Sequence, residues 1–244
     1  TVALLGPSGT GKSVLLKPII GLIKPDSGEV WVDGQLVPSL GRKQLAALRS
    51  RIGYVFQNGA LFDSMDVFEN IRLGITDESL YGAKDYCIER VKECLRLVNL
   101  AEDVGRKYPS ELSGGMRKRV GIARAIAGKP VYLLYDEPTS GLDPVNADVI
   151  DSLIERLQQE IGVTSVVVTH DVRGSFRVAD RIALLAQAKI RAVGTADEII
   201  ASKDPVVQQF LERDLEMAVI QAGHLTFDTP ARRRSGEFGV GGSG

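Results

Sequence analysis

The run Gly6-Pro7-Ser8-Gly9-Thr10-Gly11-Lys12-Ser13 sits between a short apolar stretch, Val2-Ala3-Leu4-Leu5, and a segment of helical composition. It satisfies G-x-x-x-x-G-K-[ST], and a strand before with a helix after is the context in which that pattern binds nucleotide phosphates. Glycines let the backbone wrap so that successive N–H groups converge on one phosphate. The start of the following helix adds a positive dipole end. Lys12 can reach the β- and γ-phosphates as a mobile point charge, and Ser13 offers a hydroxyl to Mg²⁺, which takes hard oxygen ligands. A second group lies far along the chain, where Val131-Tyr132-Leu133-Leu134-Tyr135 ends in Asp136-Glu137. Asp136 closes an apolar strand, at the edge where open α/β sheets bind ligands, and is placed to hold Mg²⁺, largely through water. Glu137, facing differently, could polarise the water that attacks a γ-phosphate. Alone, two acids after a strand can equally serve a helix N-terminus; the phosphate loop upstream favours the catalytic reading.

These residues require a scaffold of alternating strands and helices. Val2–Leu5 reads as a buried strand and 14–22 as the helix after the loop, with Pro18 expected to kink it near Lys17. Residues 29–34 alternate and then turn, as in an edge strand. A short polar helix over 43–49 and a strand over 52–56 follow, the latter ending at Gln57. From about 58 to 128 the pattern turns helical. The amphipathic stretch 85–97 sets Ile88, Val91, Leu95 and Val98 on one side. Strand-helix alternation then resumes: strand 131–135, helix 145–160, strand 163–168, a short helix near Ser175, strands 182–185 and 190–193, and helices 197–202 and 205–218. This is an α/β architecture built on a mainly parallel sheet. The expected division is one ATPase domain over 1–218, with its helical subdomain at about 58–128, and a Gly- and Arg-rich tail over 219–244 without structure.

The composition excludes several classes. The chain has 244 residues with 30 Lys+Arg against 31 Asp+Glu, a balance without a nucleic-acid footprint. Its one dense basic run, Arg232-Arg233-Arg234, lies in the tail and reads as solvated. Cys87 and Cys94 fall seven apart on an expected helix, sharing a face but too distant to bridge, and fit a reducing compartment. No apolar run approaches membrane-span length. The sequence opens at Thr1, inside a strand and without an initiator Met, so an N-terminal piece is expected to lie outside it.

Leu112-Ser113-Gly114-Gly115-Met116 resembles the LSGGQ signature of ABC ATPases, with Met116 in place of the usual Gln. By itself Ser113 could be a plain helix cap, and a lone His170 could be structural. Other matches follow in the family's order: Gln57 at a strand end resembles the Q-loop glutamine, Ser140-Gly141-Leu142-Asp143 the D-loop, and His170 the switch histidine. The resemblance covers the chain to about residue 218. It implies two chains packed head to tail around two ATP molecules. Lys12, Ser13, Gln57, Asp136, Glu137 and His170 would serve one nucleotide, with Gln57 joining Ser13 and Asp136 at Mg²⁺. Ser113, Gly114 and Gly115 would cap the same nucleotide from the other chain, and Asp143 would couple the two sites. It also implies an integral-membrane permease as partner and a peripheral position on the cytoplasmic face of the inner membrane. The family stacks adenine on an aromatic residue upstream of the phosphate loop. Nothing precedes Thr1 here, so weakened nucleotide affinity and a sheet lacking its first strands are expected.

Within that family, 56–65, 113–119 and 204–211 resemble the ATPases of MCE-domain lipid transporters. That resemblance implies lipid cargo and an MCE-domain partner protein. Residues 59–65, apolar and just after Gln57, would help form the groove for the permease, although Leu61 and Phe62 could instead be core. A small-solute transporter with the same engine is the alternative. A soluble ABC ATPase acting on DNA or ribosomes, or a non-hydrolysing regulatory subunit, fits less well. The gap between Gln57 and the signature is short, and Glu137 and His170 are both present.

Overall fold

The structure is a computed structural model that describes residues 1–222, with side chains described to Arg213. Its centre is a six-stranded sheet. In chain order the strands and helices are β1 (Val2–Leu5), α1 (Lys12–Ile19), β2 (Trp31–Val32), β3 (Gln35–Leu36), α2 (Arg42–Ser50), β4 (Ile52–Val55), α3 (Val67–Arg72), α4 (Glu78–Gly82), α5 (Lys84–Leu97), α6 (Gly114–Ala127), β5 (Tyr132–Asp136), α7 (Pro144–Ile161), β6 (Thr164–Thr169), α8 (Val172–Val178), β7 (Arg181–Ala186), β8 (Lys189–Gly194), α9 (Ala196–Ile200) and α10 (Pro205–Ala222). The sheet order is β4-β5-β6-β1-β7-β8. All neighbours are parallel except β7 and β8, which form an antiparallel pair. Parallel strands need helices on both faces, so their side chains are apolar in both directions. Leu5, Leu133, Tyr135 and Ile182 are accordingly buried to within 2% of full enclosure.

Several helices are bounded by caps that their sequences spell out. Asp143 caps α7 by accepting from Asn146 N at 3.0 Å, Pro144 opens the helix, and Gly162 closes it in the left-handed conformation at φ 66°. Asp66 and Glu69 form a reciprocal capping box at the start of α3. Helices α3, α5 and α6 pack on one another and on the β4–β5 side of the sheet in one continuous core.

Several expectations need correction. The segment read as an edge strand over 29–34 contributes only β2, which pairs with β3 in a separate two-stranded sheet. The tight turn at Asp33 (φ 50°) and Gly34 (φ 72°) reverses the chain after Val32. Pro18 lies inside α1, which ends one residue later at Ile19, so its missing N–H falls in the last turn. The buried stripe of α5 is centred on Cys87, Val91, Cys94 and Leu95, leaving Ile88 half-buried. Both cysteines are free and buried. Helix α10 runs past Ala218 to Ala222; the rest of the expected tail, with Arg232-Arg233-Arg234, lies outside the described residues.

Candidate functional site

Register alone brings the chemistry together. Leu5 of β1 pairs with Thr169 of β6, Asp136 of β5 with Val168, and Val55 of β4 with Tyr135. The next residues along each strand are therefore Gly6, His170, Glu137 and, two beyond Val55, Gln57. They emerge side by side at the carboxyl edge of the sheet.

The loop after β1 is shaped by glycine at two positions. A Cβ on Gly6 would lie 2.1 Å from the carbonyl oxygen of Leu185 in β7, so only glycine lets the chain leave the strand here. Gly11 caps α1 at φ 87°, a left-handed conformation that turns the loop into the helix. Pro7, Ser8 and Gly9 lie between them, and Thr10 braces the turn by donating from its hydroxyl to Pro7 O at 2.8 Å. Lys12 is 4% exposed. Its ammonium donates to the carbonyls of Gly6 (2.8 Å) and Pro7 (2.9 Å) and lies 3.5 Å from Glu137 Oε1.

Ser13 Oγ donates to Asp136 Oδ1 at 2.5 Å, and Tyr54 donates its phenol to Asp136 Oδ2 at 3.1 Å. Burial and the Asp136 charge push the Tyr54 phenol well above its ordinary range, so it stays a donor. A hydroxyl beside a carboxylate is a hard-oxygen pair suited to Mg²⁺. Among the described residues no cluster of three or more His, Cys, Asp or Glu forms a protein-only metal cage.

Glu137 is 8% exposed and has φ 49°, a left-handed conformation uncommon outside glycine. This break in the strand lets Glu137 address Lys12 while its neighbour Asp136 addresses Ser13, though successive strand residues would otherwise point to opposite faces. Oε2 of Glu137 lies 2.7 Å from His170 Nδ1. Burial pushes the Glu137 carboxyl up, but the hydrogen bond and charge of His170, together with Lys12, outweigh it, and the net shift is down. His170 is shifted up, first by its hydrogen bond to Glu137 and against its own partial burial. The pair therefore favours a carboxylate beside a proton-bearing imidazole.

The other expected residues stand apart. Gln57 is exposed and donates its amide to Ser140 Oγ at 3.2 Å, which ties the strand end of β4 to the turn that follows Glu137. Ser113 caps α6, accepting from Met116 N at 3.2 Å, so the simple capping role holds within one chain. A Cβ on Gly114 would meet Leu142, and one on Gly115 would come within 3.0 Å of Asn146 Oδ1. The Ser113–Gly115 turn therefore lies beside the Ser140–Asp143 segment. Among the described residues no hydrogen bond joins this turn to the phosphate loop.

Two participants escaped the sequence reading. Tyr54 carried no signal beyond strand alternation. Lys118, read only as part of the signature resemblance, is buried and donates to the Glu137 carbonyl at 3.2 Å. A further surface follows Gln57. Phe62 is 53% exposed, while Leu61 packs partly on the core. Asn70 is fully buried; its Oδ1 accepts from Phe62 N, and its amide donates to the carbonyls of Phe62, Met65 and Asp66. Arg124 of α6 holds the preceding turn through Gly59 O and Ala60 O, both at 2.7 Å.

A parallel sheet with a lysine-bearing loop after its central strand and paired acids two strands away defines a phosphate-binding nucleoside triphosphatase. A family profile described as "ABC transporter" matches residues 1–140. The ATP-binding protein MlaF of an Escherichia coli K12 intermembrane phospholipid transport system is 42% identical across 86% of this chain and 77% of that protein. A probable ribonucleotide transport ATP-binding protein, mkl, of Mycobacterium leprae is 38% identical across 91% of this chain and 68% of that protein. The dimeric ATP-binding cassette MJ0796 bound to ADP and Pi superposes with a TM-score of 0.71 at 35% identity, covering 80% of this chain and 84% of the other. The chain belongs to the ABC transporter family: it is an ATP-hydrolysing, ATP-binding subunit that energises a membrane permease. No described helix is long and apolar enough to cross a membrane.

Proposed function

We propose that two copies of this chain close head to tail around two Mg-ATP molecules, and that the cycle of closing and hydrolysis drives a permease carrying lipid. The observation that carries this reading is the division of the site. Lys12, Ser13, Asp136, Glu137 and His170 form one connected cluster, whereas among the described residues no hydrogen bond joins Ser113–Gly115 to it. A second copy can supply what the first cannot reach.

In this mechanism the backbone N–H groups of 6–13 hold the phosphates, and Lys12 leaves the Gly6 and Pro7 carbonyls to meet the β- and γ-phosphates. Ser13 and Asp136, with Gln57, would hold Mg²⁺, which when bound neutralises charge on the phosphate oxygens. Glu137, kept as a carboxylate, orients the attacking water and takes its proton. His170 holds Glu137 and the γ-phosphate in register. Ser113, Gly114 and Gly115 of one copy cap the other copy's γ-phosphate, and Asp143, capping α7 beside them, links the two sites. Only the closed pair matches one state of the permease, so ATP shifts the permease population. The exposed Phe62 and the loop held by Asn70 form the docking surface for the permease, on the cytoplasmic face of the inner membrane.

Lipid as cargo, with an MCE-domain protein as further partner, is supported by the MlaF likeness and by the segment after Gln57. Similarity to a methionine import protein, MetN of Carboxydothermus hydrogenoformans (41% identical across 85% of this chain and 61% of that protein), favours small-solute import as the second reading. Purification of the complex from membranes, then mass spectrometry of bound lipids and ATPase assays with added phospholipid, separates the two. Phospholipid stimulation supports the first; stimulation only by a small solute overturns it.

A further inference from the structure

Lys118 occupies an unusual place. It lies on α6, five residues beyond Ser113, which is about 7.5 Å along the helix axis. Its side chain is 6% exposed, and among the described residues its ammonium makes one hydrogen bond, to the main-chain carbonyl of Glu137 at 3.2 Å. Burial lowers its pKa, while the Glu137 charge works the other way. A cation is costly to bury, so its one contact bears on why the chain keeps it there.

That contact falls on the strained residue of the site. Glu137 is held at φ 49° by three main-chain bonds: its N–H donates to Val168 O at 2.9 Å, and its carbonyl accepts from Ser140 N at 3.2 Å as well as from Lys118. A left-handed glutamate persists only where its surroundings enforce it. Two of the three bonds come from the sheet and from the turn that follows. Lys118 is the one that comes from another element, and that element is the helix whose first turn bears Ser113.

We propose that Lys118 is a positioning residue: it fixes the peptide of Glu137, and through it the carboxylate, by tying that peptide to α6. The proposal rests on the assignment of Glu137 as the residue that activates water. It predicts an effect on the chemical step without an effect on nucleotide binding, because Lys118 has no hydrogen bond to the phosphate loop.

The test is steady-state ATPase kinetics and ATP titration on the full chain, with thermal melting as the control for folding. Lys118→Met is expected to lower kcat about tenfold, a misplacement-sized effect, with the Kd for ATP unchanged. Lys118→Arg, which keeps charge and donor, should recover kcat to within about threefold of the original. In a Glu137→Gln background, Lys118→Met should change the residual rate no further, since residues acting as a unit are non-additive. If Lys118→Met fails to fold, Lys118→Gln serves instead. Its amide is one atom shorter and should also lose kcat with Kd preserved. Full kcat in a folded Lys118→Met or Lys118→Gln overturns the proposal, as does an equal further loss in the Glu137→Gln background. Normal turnover by Glu137→Gln alone would instead overturn the assignment of Glu137.

Discussion

The two halves of the proposed nucleotide site are built to different degrees. The phosphate half is assembled within one chain: Ser13 is bonded to Asp136, Lys12 faces Glu137, and Glu137 is bonded to His170. The signature half, Ser113–Gly115, has its serine hydroxyl engaged locally, accepting from Met116 N, and lies beside the Ser140–Asp143 turn. The contrast shows where binding energy goes. An electrostatic site that acts in the transition state gains from preorganisation. On the proposed mechanism, a cap that engages and releases once per cycle gains from having no strong intrachain partner to break first; Ser113 and Gly114 are exposed, while Gly115 is buried beside Asn146.

The sharpest way to break this comparison is to remove the base of the phosphate half. Glu137→Gln keeps the shape but removes the negative charge, so kcat should fall about 10³-fold while ATP still binds. The variant should accumulate as an ATP-bound dimer, visible by light scattering. Lys12→Ala should instead lose ATP binding, measured by calorimetry. Normal turnover in either would refute the assigned roles.

A smaller effect tests the other half. Ser113→Arg places a long cation where the cap must approach a partner, and should cost about 10² in kcat. It should leave ATP affinity of the lone chain nearly unchanged and abolish dimer accumulation in the Glu137→Gln background. Equal damage to lone-chain binding would mean that the halves are not separate.

Tyr54→Phe sharpens the account of the phosphate half. The phenol donates to Asp136 beside Ser13, so losing it frees the carboxylate without removing a metal ligand. The Mg²⁺ concentration needed for nucleotide binding should change severalfold, with kcat at saturating Mg²⁺ preserved. An unchanged Mg²⁺ titration would reduce Tyr54 to packing.

How far these halves were legible in the sequence depended on locality. The phosphate loop and the acid pair are short motifs whose backbone geometry follows from their glycines and from a strand end, so Gly6–Ser13, Asp136 and Glu137 could be placed from spacing. The parallel sheet followed from strand-helix alternation. Lys118 and Tyr54 could not be read, because their roles arise from contacts across 19 and 82 residues respectively. The 29–34 segment misled for a related reason. Its alternation is real, but Asp33 and Gly34 turn the chain back after Val32, and a two-residue strand pairs only with its neighbour.

The smallest effect concerns a buried carboxylate inside α7. Helix α7 starts at Asp143, beside the signature turn; α8 starts at Asp171, next to His170. Within α7 lies Asp151, 6% exposed, whose Oδ2 and that of Asp171 would each be 2.7 Å from a Cβ on Gly174. Burial, then the Asp171 charge, pushes the Asp151 carboxyl up to about 7, with Arg177 opposing and Asp148 adding to the rise. The folded chain therefore holds a proton that the unfolded chain releases near pH 4. Between about pH 4 and 7 this group makes stability fall as pH rises, with no further loss above. Asp151→Asn removes the titration while keeping the shape. The variant should match the original near pH 4 and be more stable at pH 8 by on the order of 2 kcal/mol, discounting the nominal shift for residual solvent access. That corresponds to a melting temperature about 4–8 °C higher. Because His170 and Glu137 also titrate, the measurement is the difference between the two proteins across pH. A difference that stays flat from pH 4 to 8 would show that Asp151 is already ionised in the fold.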